Sequence, residues 1–216
     1  MNISLRRRAG LTFVEVLVVV GIVVLLAALL MPTVANHRDS RVRAMRILCV
    51  NNLKQLGLSA RLWSNDHDDK FPFASTNADS SLRWTNSPEV FRHFQVMSNE
   101  LVTPKILLCR AERTRTRAED FASLANSNLS YFVGLDAHEG DPRQILSGDR
   151  NLTGGVRRAG FLLVATPKSE LGWSSDLHKH AGNIGLADGS VQQINQVGLR
   201  RHLVNLTNAT FRLAFP

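Results

Sequence analysis

Cysteine is scarce in this sequence: Cys49 and Cys109 are the only two among 216 residues. They lie far apart and in no CxxC pair, so the spacing of a cysteine-based metal module is absent. Catalytic signatures are missing too. No G-x-S-x-G elbow, Walker loop, HExxH helix or Rossmann glycine fingerprint occurs, and Gly154, Gly155 and Gly185 are isolated glycines that fit turns or close packing. A tethered hydrolase is therefore a reading without a motif behind it, and no enzyme is expected. Internal repeats and low-complexity tracts are also lacking, which leaves one globular domain plus an anchor within this length. Acidic charge is in deficit, with 26 Lys and Arg against 18 Asp and Glu and a net charge of +8. Arg6, Arg7 and Arg8 supply three of those charges at the extreme N-terminus. The remaining excess of about +5 is too modest to indicate nucleic acid by itself.

The longest absence is of polarity. Residues 16–31 carry no polar side chain. The apolar stretch from Leu11 to Met31 has about the 20 residues that, at ~1.5 Å rise each, span the ~30 Å core of a bilayer. This predicts a membrane-spanning half-helix over 11–34, with Arg6–Arg8 on the cytoplasmic side and everything after it outside. Glu15 is the exception, because a carboxylate in such a segment costs at least ~2.5 kcal/mol and calls for a partner. A cut between Gly10 and Leu11 would create that partner, a free α-amino group one turn away on the same or a neighbouring subunit. Two other readings compete. One is an ordinary secretory signal cut near Thr33-Val34-Ala35, and the other a plain anchor whose Glu15 snorkels to the interface.

Arg8-Ala9-Gly10-Leu11-Thr12-Phe13-Val14-Glu15 resembles the class III prepilin signal: basic leader, Gly at the cut, an apolar residue, Thr, two apolar residues, Glu. Leu11 departs from the usual Phe or Met. Pro32 falls where many pilins carry a proline near the end of the first half-helix. Asn51-Asn52-Leu53-Lys54-Gln55-Leu56-Gly57, following Cys49, is similar to the helix sequence of such prepilin-like proteins. His178, followed after nine residues by Asp188-Gly189, resembles their C-terminal H-x9-DG segment. The resemblance is to the type IV pilin-like and type II secretion pseudopilin family. It implies a leader at 1–10 removed by a prepilin peptidase, N-methylation, and assembly with other pilin or pseudopilin subunits through the N-terminal helix and Glu15. It also implies a single-pass inner-membrane protein, in contact with membrane lipid, whose C-terminal domain is periplasmic.

Along the rest of the chain, Met45, Cys49, Leu53, Leu56, Ala60 and Trp63 recur at spacings of three and four, predicting an amphipathic half-helix over 35–64 with one buried stripe. Pro32 should kink or locally melt the helix before it. Cys49 and Cys109 are either a disulfide tying this helix to the globular part or two buried thiols. Asp66, Asp68 and Asp69 alternate oxygens in a way that could ligate calcium, but the run lacks the Gly and closing Glu of an EF-hand loop. A short helix around 89–97 is expected, and strands at 106–109, 130–135, 144–146 and 160–165. Residues 183–194 read as a hairpin turning on Asp188-Gly189 with both turn residues at positive φ. A short helix at 197–206 and a tail from Thr210 follow. His178 and Asp188 are either a paired or metal-linked site or simply loop and turn residues. Arg157, Arg158, Arg200 and Arg201 are the candidates if the chain is instead a minor pilin that binds DNA. The expected fold is α+β and pilin-like. A long N-terminal helix, half in the membrane and half amphipathic, packs on a small antiparallel sheet within a 65–216 domain.

Overall fold

The structure, a computed structural model, describes residues 12–35 and 37–216; the side chains of residues 30–39 and of Arg41 are outside the described set. The chain divides into two compact units, residues 1–43 and 44–216. Gly10 and Leu11, with the rest of the leader, lie outside the described residues, as does the side chain of Pro32.

In the first unit, helix α1 runs from Phe13 to Ala35, and its backbone is helical across Pro32. Thr12 and Glu15 begin it as a capping box. The Glu15 N–H donates to Thr12 Oγ1 at 3.3 Å, and the Thr12 N–H donates back to the Glu15 carboxylate at 3.0 Å. Thirteen large apolar side chains from Phe13 to Leu29 are 48% to 78% exposed. Among the described residues, no helix is long and apolar enough to cross a membrane. This overturns the expected membrane half-helix and the single-pass inner-membrane placement built on it.

Helix α2, His37–Asn65, crosses into the second unit. There Cys49, Leu53, Leu56, Ala60 and Trp63 are all buried, as their spacing requires, while Lys54 and Arg61 are exposed. Two short helices follow, α3 (Phe91–Gln95) and α4 (Ser98–Leu101), and later α5 (Gln196–Val204). The strands are β1 Tyr131–Gly134, β2 Ile145–Asp149, β3 Leu152–Gly154, β4 Val156–Arg158 and β5 Leu162–Ala165. They continue with β6 Leu171–Trp173, β7 Ala181–Leu186, β8 Val191–Asn195 and β9 Phe211–Ala214.

These strands correct the expected small sheet on a half-membrane helix. They form a seven-stranded sheet in the order β4-β5-β9-β1-β2-β7-β8, with β3 and β6 as a separate two-stranded ribbon, and every pairing is antiparallel. The expected tail is β9, inserted between β5 and β1 near the sheet centre. The sheet is large because both of its faces are covered. Tyr131 and Val133 pack into the core shared with α2, while Phe132 between them joins a second core with Trp173, Leu199 and Leu203. Strand β5 divides the same way, Leu162 to the first core and Leu163 and Ala165 to the second.

Candidate functional site

Two of the three sequence segments on which the resemblance rests, 51–57 and 178–189, are brought together along α2. Arg46 sends Nη2 to the carbonyls of Gly182 (2.9 Å) and Ile194 (3.3 Å), at the start of β7 and the end of β8. Further along, a Cβ added to Gly185 would come within 4.0 Å of Leu53, and one added to Gly57 would come within 3.3 Å of the Gly189 Cα. At the hairpin tip, Arg61 Nη1 donates to the Asp188 carbonyl at 2.9 Å. Strand β7 therefore lies along α2 in register, and Gly57 permits backbone to approach backbone at the tip. The nine residues between His178 and Asp188 hold one full strand that starts beside Arg46 and reaches Leu53 at Gly185, and the turn beyond it meets Gly57.

The turn itself differs from the expected two-residue form. Only Gly189 has positive φ, at 84°. The Gly189 N–H bonds Leu186 O, the Leu186 N–H bonds Ser190 O, and Asp188 Oδ1 accepts the Ser190 N–H at 2.8 Å. This is a three-residue loop in which the aspartate braces the turn and the glycine takes the left-handed position.

His178 and Asp188 are not partners. His178 sits in the loop between β6 and β7, whose ends are held together by Asn151 Nδ2 donating to Ser174 O (3.0 Å) and Ala181 O (3.1 Å). Its Nε2 lies 3.4 Å from Asp149 Oδ2 and 3.5 Å from Cys109 Sγ. Cys109 is bonded to Cys49, with Cα atoms 5.4 Å apart and a sequence separation of 60. That bond joins the α2 stripe to the segment after the 3-10 turn Pro104–Leu107. Asp149 Oδ2 also accepts the Asn183 backbone N–H (2.7 Å) and Asn183 Nδ2 (2.8 Å), while Asn183 Oδ1 takes Arg46 Nε at 3.4 Å.

The cluster is sealed: the side chains of His178 and Asp149 are 1% and 0% exposed. Burial pushes the Asp149 carboxyl up to about 7 against the pull of the Asn183 donors and of Arg46. Burial, then the nearby Arg46 charge, holds His178 down at about 4, so its imidazole is neutral at neutral pH. Two polar atoms, Asp149 Oδ1 and His178 Nδ1, are buried without a partner. Among the described residues, Cys49, Cys109 and His178 are the group of metal-ligand type that comes together, their donor atoms within 4.8 Å of one another.

Sequence reasoning missed Asp149, Asn183 and Arg46. Arg46 lies off the apolar stripe of α2, and Asp149 ends β2, Ile-Leu-Ser-Gly-Asp, where it reads as a turn residue. Asp66, Asp68 and Asp69 occupy the turn after α2, with Asp68 and Asp69 at φ 57° and 55°, and they join no such donor group among the described residues. Of the arginines considered for DNA, Arg158 is exposed on β4, while Arg157 Nη2 donates to Leu152 O and its guanidinium lies 4.4 Å over the Phe215 ring. Arg200 and Arg201 are on α5, on a different element. No protein-family model, no curated protein and no solved structure matches this chain.

Proposed function

We propose that this chain is a non-catalytic filament subunit of the pilin-like kind, cut after Gly10 by a prepilin peptidase and assembled through α1. The filament is of the type II secretion or type IV pilus class. The observation that carries this is α1 itself: a helix whose large described side chains are apolar and exposed, with Glu15 as its one acidic residue. Exposed apolar surface on this scale favours a partner, at ~25 cal/mol for each Å² removed from water. The partner that fits is the same helix of another copy, because an apolar helix is complementary to itself in ridges-into-grooves packing. On α2, Ile47, Leu48, Leu58 and Leu62 are exposed as well. Within such a bundle the Glu15 charge is matched by the α-amino group that cleavage creates at Leu11 of a neighbouring copy.

The capping box gives Glu15 a second role, and two substitutions separate the roles. Glu15→Gln keeps an acceptor for the Thr12 N–H but removes the charge, whereas Glu15→Leu removes both. The chain is co-expressed with a prepilin peptidase and filaments are counted by negative-stain electron microscopy. Amine pairing predicts that both variants are cleaved normally and that both lose filaments. Normal filaments from Glu15→Leu would sink the pairing, and loss in Glu15→Leu alone would assign Glu15 to the cap.

A further inference from the structure

We propose that Cys49, Cys109, His178 and Asp149 form a tetrahedral Zn2+ site that takes the place of the disulfide when the two cysteines are reduced. The inference does not depend on the filament reading. Its first ground is distance. Around Zn2+, with bonds of ~2.0–2.3 Å at tetrahedral angles, neighbouring donor atoms stand about 3.4–3.8 Å apart. His178 Nε2 already stands 3.5 Å from Cys109 Sγ and 3.4 Å from Asp149 Oδ2. The two sulfurs must part and Asp149, which stands by His178 but outside the group of donor atoms within 4.8 Å of one another, must close towards them; with the cysteine Cα atoms 5.4 Å apart, side-chain rotation can supply the parting of the sulfurs.

The second ground is the surroundings. Asp149 keeps a buried oxygen, Oδ1, with no hydrogen-bond partner, so the carboxylate has lone pairs in reserve for a cation. Its Oδ2 is oriented by two donors from Asn183, the kind of outer hydrogen bonding that fixes ligands at metal sites. Arg46 reaches Asn183 Oδ1 and its charge acts on both Asp149 and His178. That cation offsets the single negative charge left by two thiolates, one carboxylate and Zn2+. All four ligands are buried, which matches a closed structural site and not a catalytic one with an open position.

The exchange balances. A dithiol reductant gives two electrons and two protons to the Cys49–Cys109 bond and closes to its own disulfide. The two thiols then release those protons as their sulfurs bind Zn2+. Either way, the same 60-residue separation stays bridged, so α2 remains tied to the segment at Cys109 in oxidising and in reducing surroundings.

The full chain tests this after unfolding, reduction with a phosphine and anaerobic refolding with Co2+ or Zn2+. The expected result is one Co2+ per chain with the visible bands of tetrahedral thiolate coordination, displaced by Zn2+, and no uptake by the oxidised chain. The Cys49→Ser/Cys109→Ser double variant should show no bands, and His178→Asn and Asp149→Asn should each weaken affinity at least ~10-fold. Because Asp149→Asn can fail to fold, thermal unfolding of the reduced wild-type chain is read as well, and Zn2+ should raise its midpoint. A reduced chain that refolds without taking up Co2+, a double variant that binds as well as wild type, or a reduced chain that Zn2+ does not help to refold would each overturn the site.

Discussion

Glu112 is nearly sealed, with 1% of its side chain exposed, yet it stays ionised. Burial alone would raise its pKa. Arg150 reverses that with Nε at 2.7 Å and Nη2 at 2.9 Å, and Thr114 adds its N–H and hydroxyl, bringing the group to about 2. A carboxylate depressed in the folded state contributes stability above its unfolded value of about 4.5 and loses it as pH falls towards 2. Glu112→Gln should therefore cost on the order of 2–3 kcal/mol at pH 7. Thermal unfolding of variant and wild type at several pH values should show the gap closing as pH approaches 2. A gap independent of pH would show that the ion pair does not set it. Residues of this kind were hidden in the sequence. Glu112 and Arg150 are 38 positions apart, as Asp149 and Asn183 are 34 apart, and no local pattern marks a pair made by folding.

Among the elements, α2 and the β7–β8 hairpin were legible because periodicity and an Asp-Gly turn are local signals. What they do to each other was not legible, since Gly57 and Gly189 read separately as a helix glycine and a turn glycine. Their approach is tight: a Cβ on Gly57 would stand 3.3 Å from the Gly189 backbone, closer than most side chains come, and a larger group would have to push the tip away. Gly57→Leu should lift the hairpin tip from the helix and cost about 1–3 kcal/mol, a drop of several degrees in melting temperature, with Leu58→Ala on the exposed side nearly neutral. Equal effects of the two would remove the close approach as the reason for Gly57. Strand β9 was missed although its signal was present. Phe211, Leu213 and Ala214 are buried while Arg212 turns aside to Asp136, Nε to Oδ1 at 3.0 Å. That alternation lies at the C-terminus, where a tail was the default. The three-residue strands β3, β4 and β6 are too short to show a period.

At the scale of the whole chain, two units with opposite surfaces share one sequence. Residues 44–216 bury their apolar side chains on both faces of a sheet, stapled by a disulfide whose loop closure contributes about 4 kcal/mol in the chain-entropy picture. Residues 1–43 leave theirs in the open on α1. Hydropathy made α1 legible as an apolar helix but not its partner, and among the described residues no helix is long and apolar enough to carry the membrane assignment drawn from it. The proposed helix-to-helix assembly of copies would cover the same surface and give Glu15 a place in it. The step that would release α1 for that assembly is cleavage, and it can be read directly. The intact mass and N-terminal sequence of the chain co-expressed with a prepilin peptidase should show residues 1–10 removed and Leu11 as the new N-terminus. An intact Met1, or a chain beginning near Asn36, would contradict the account.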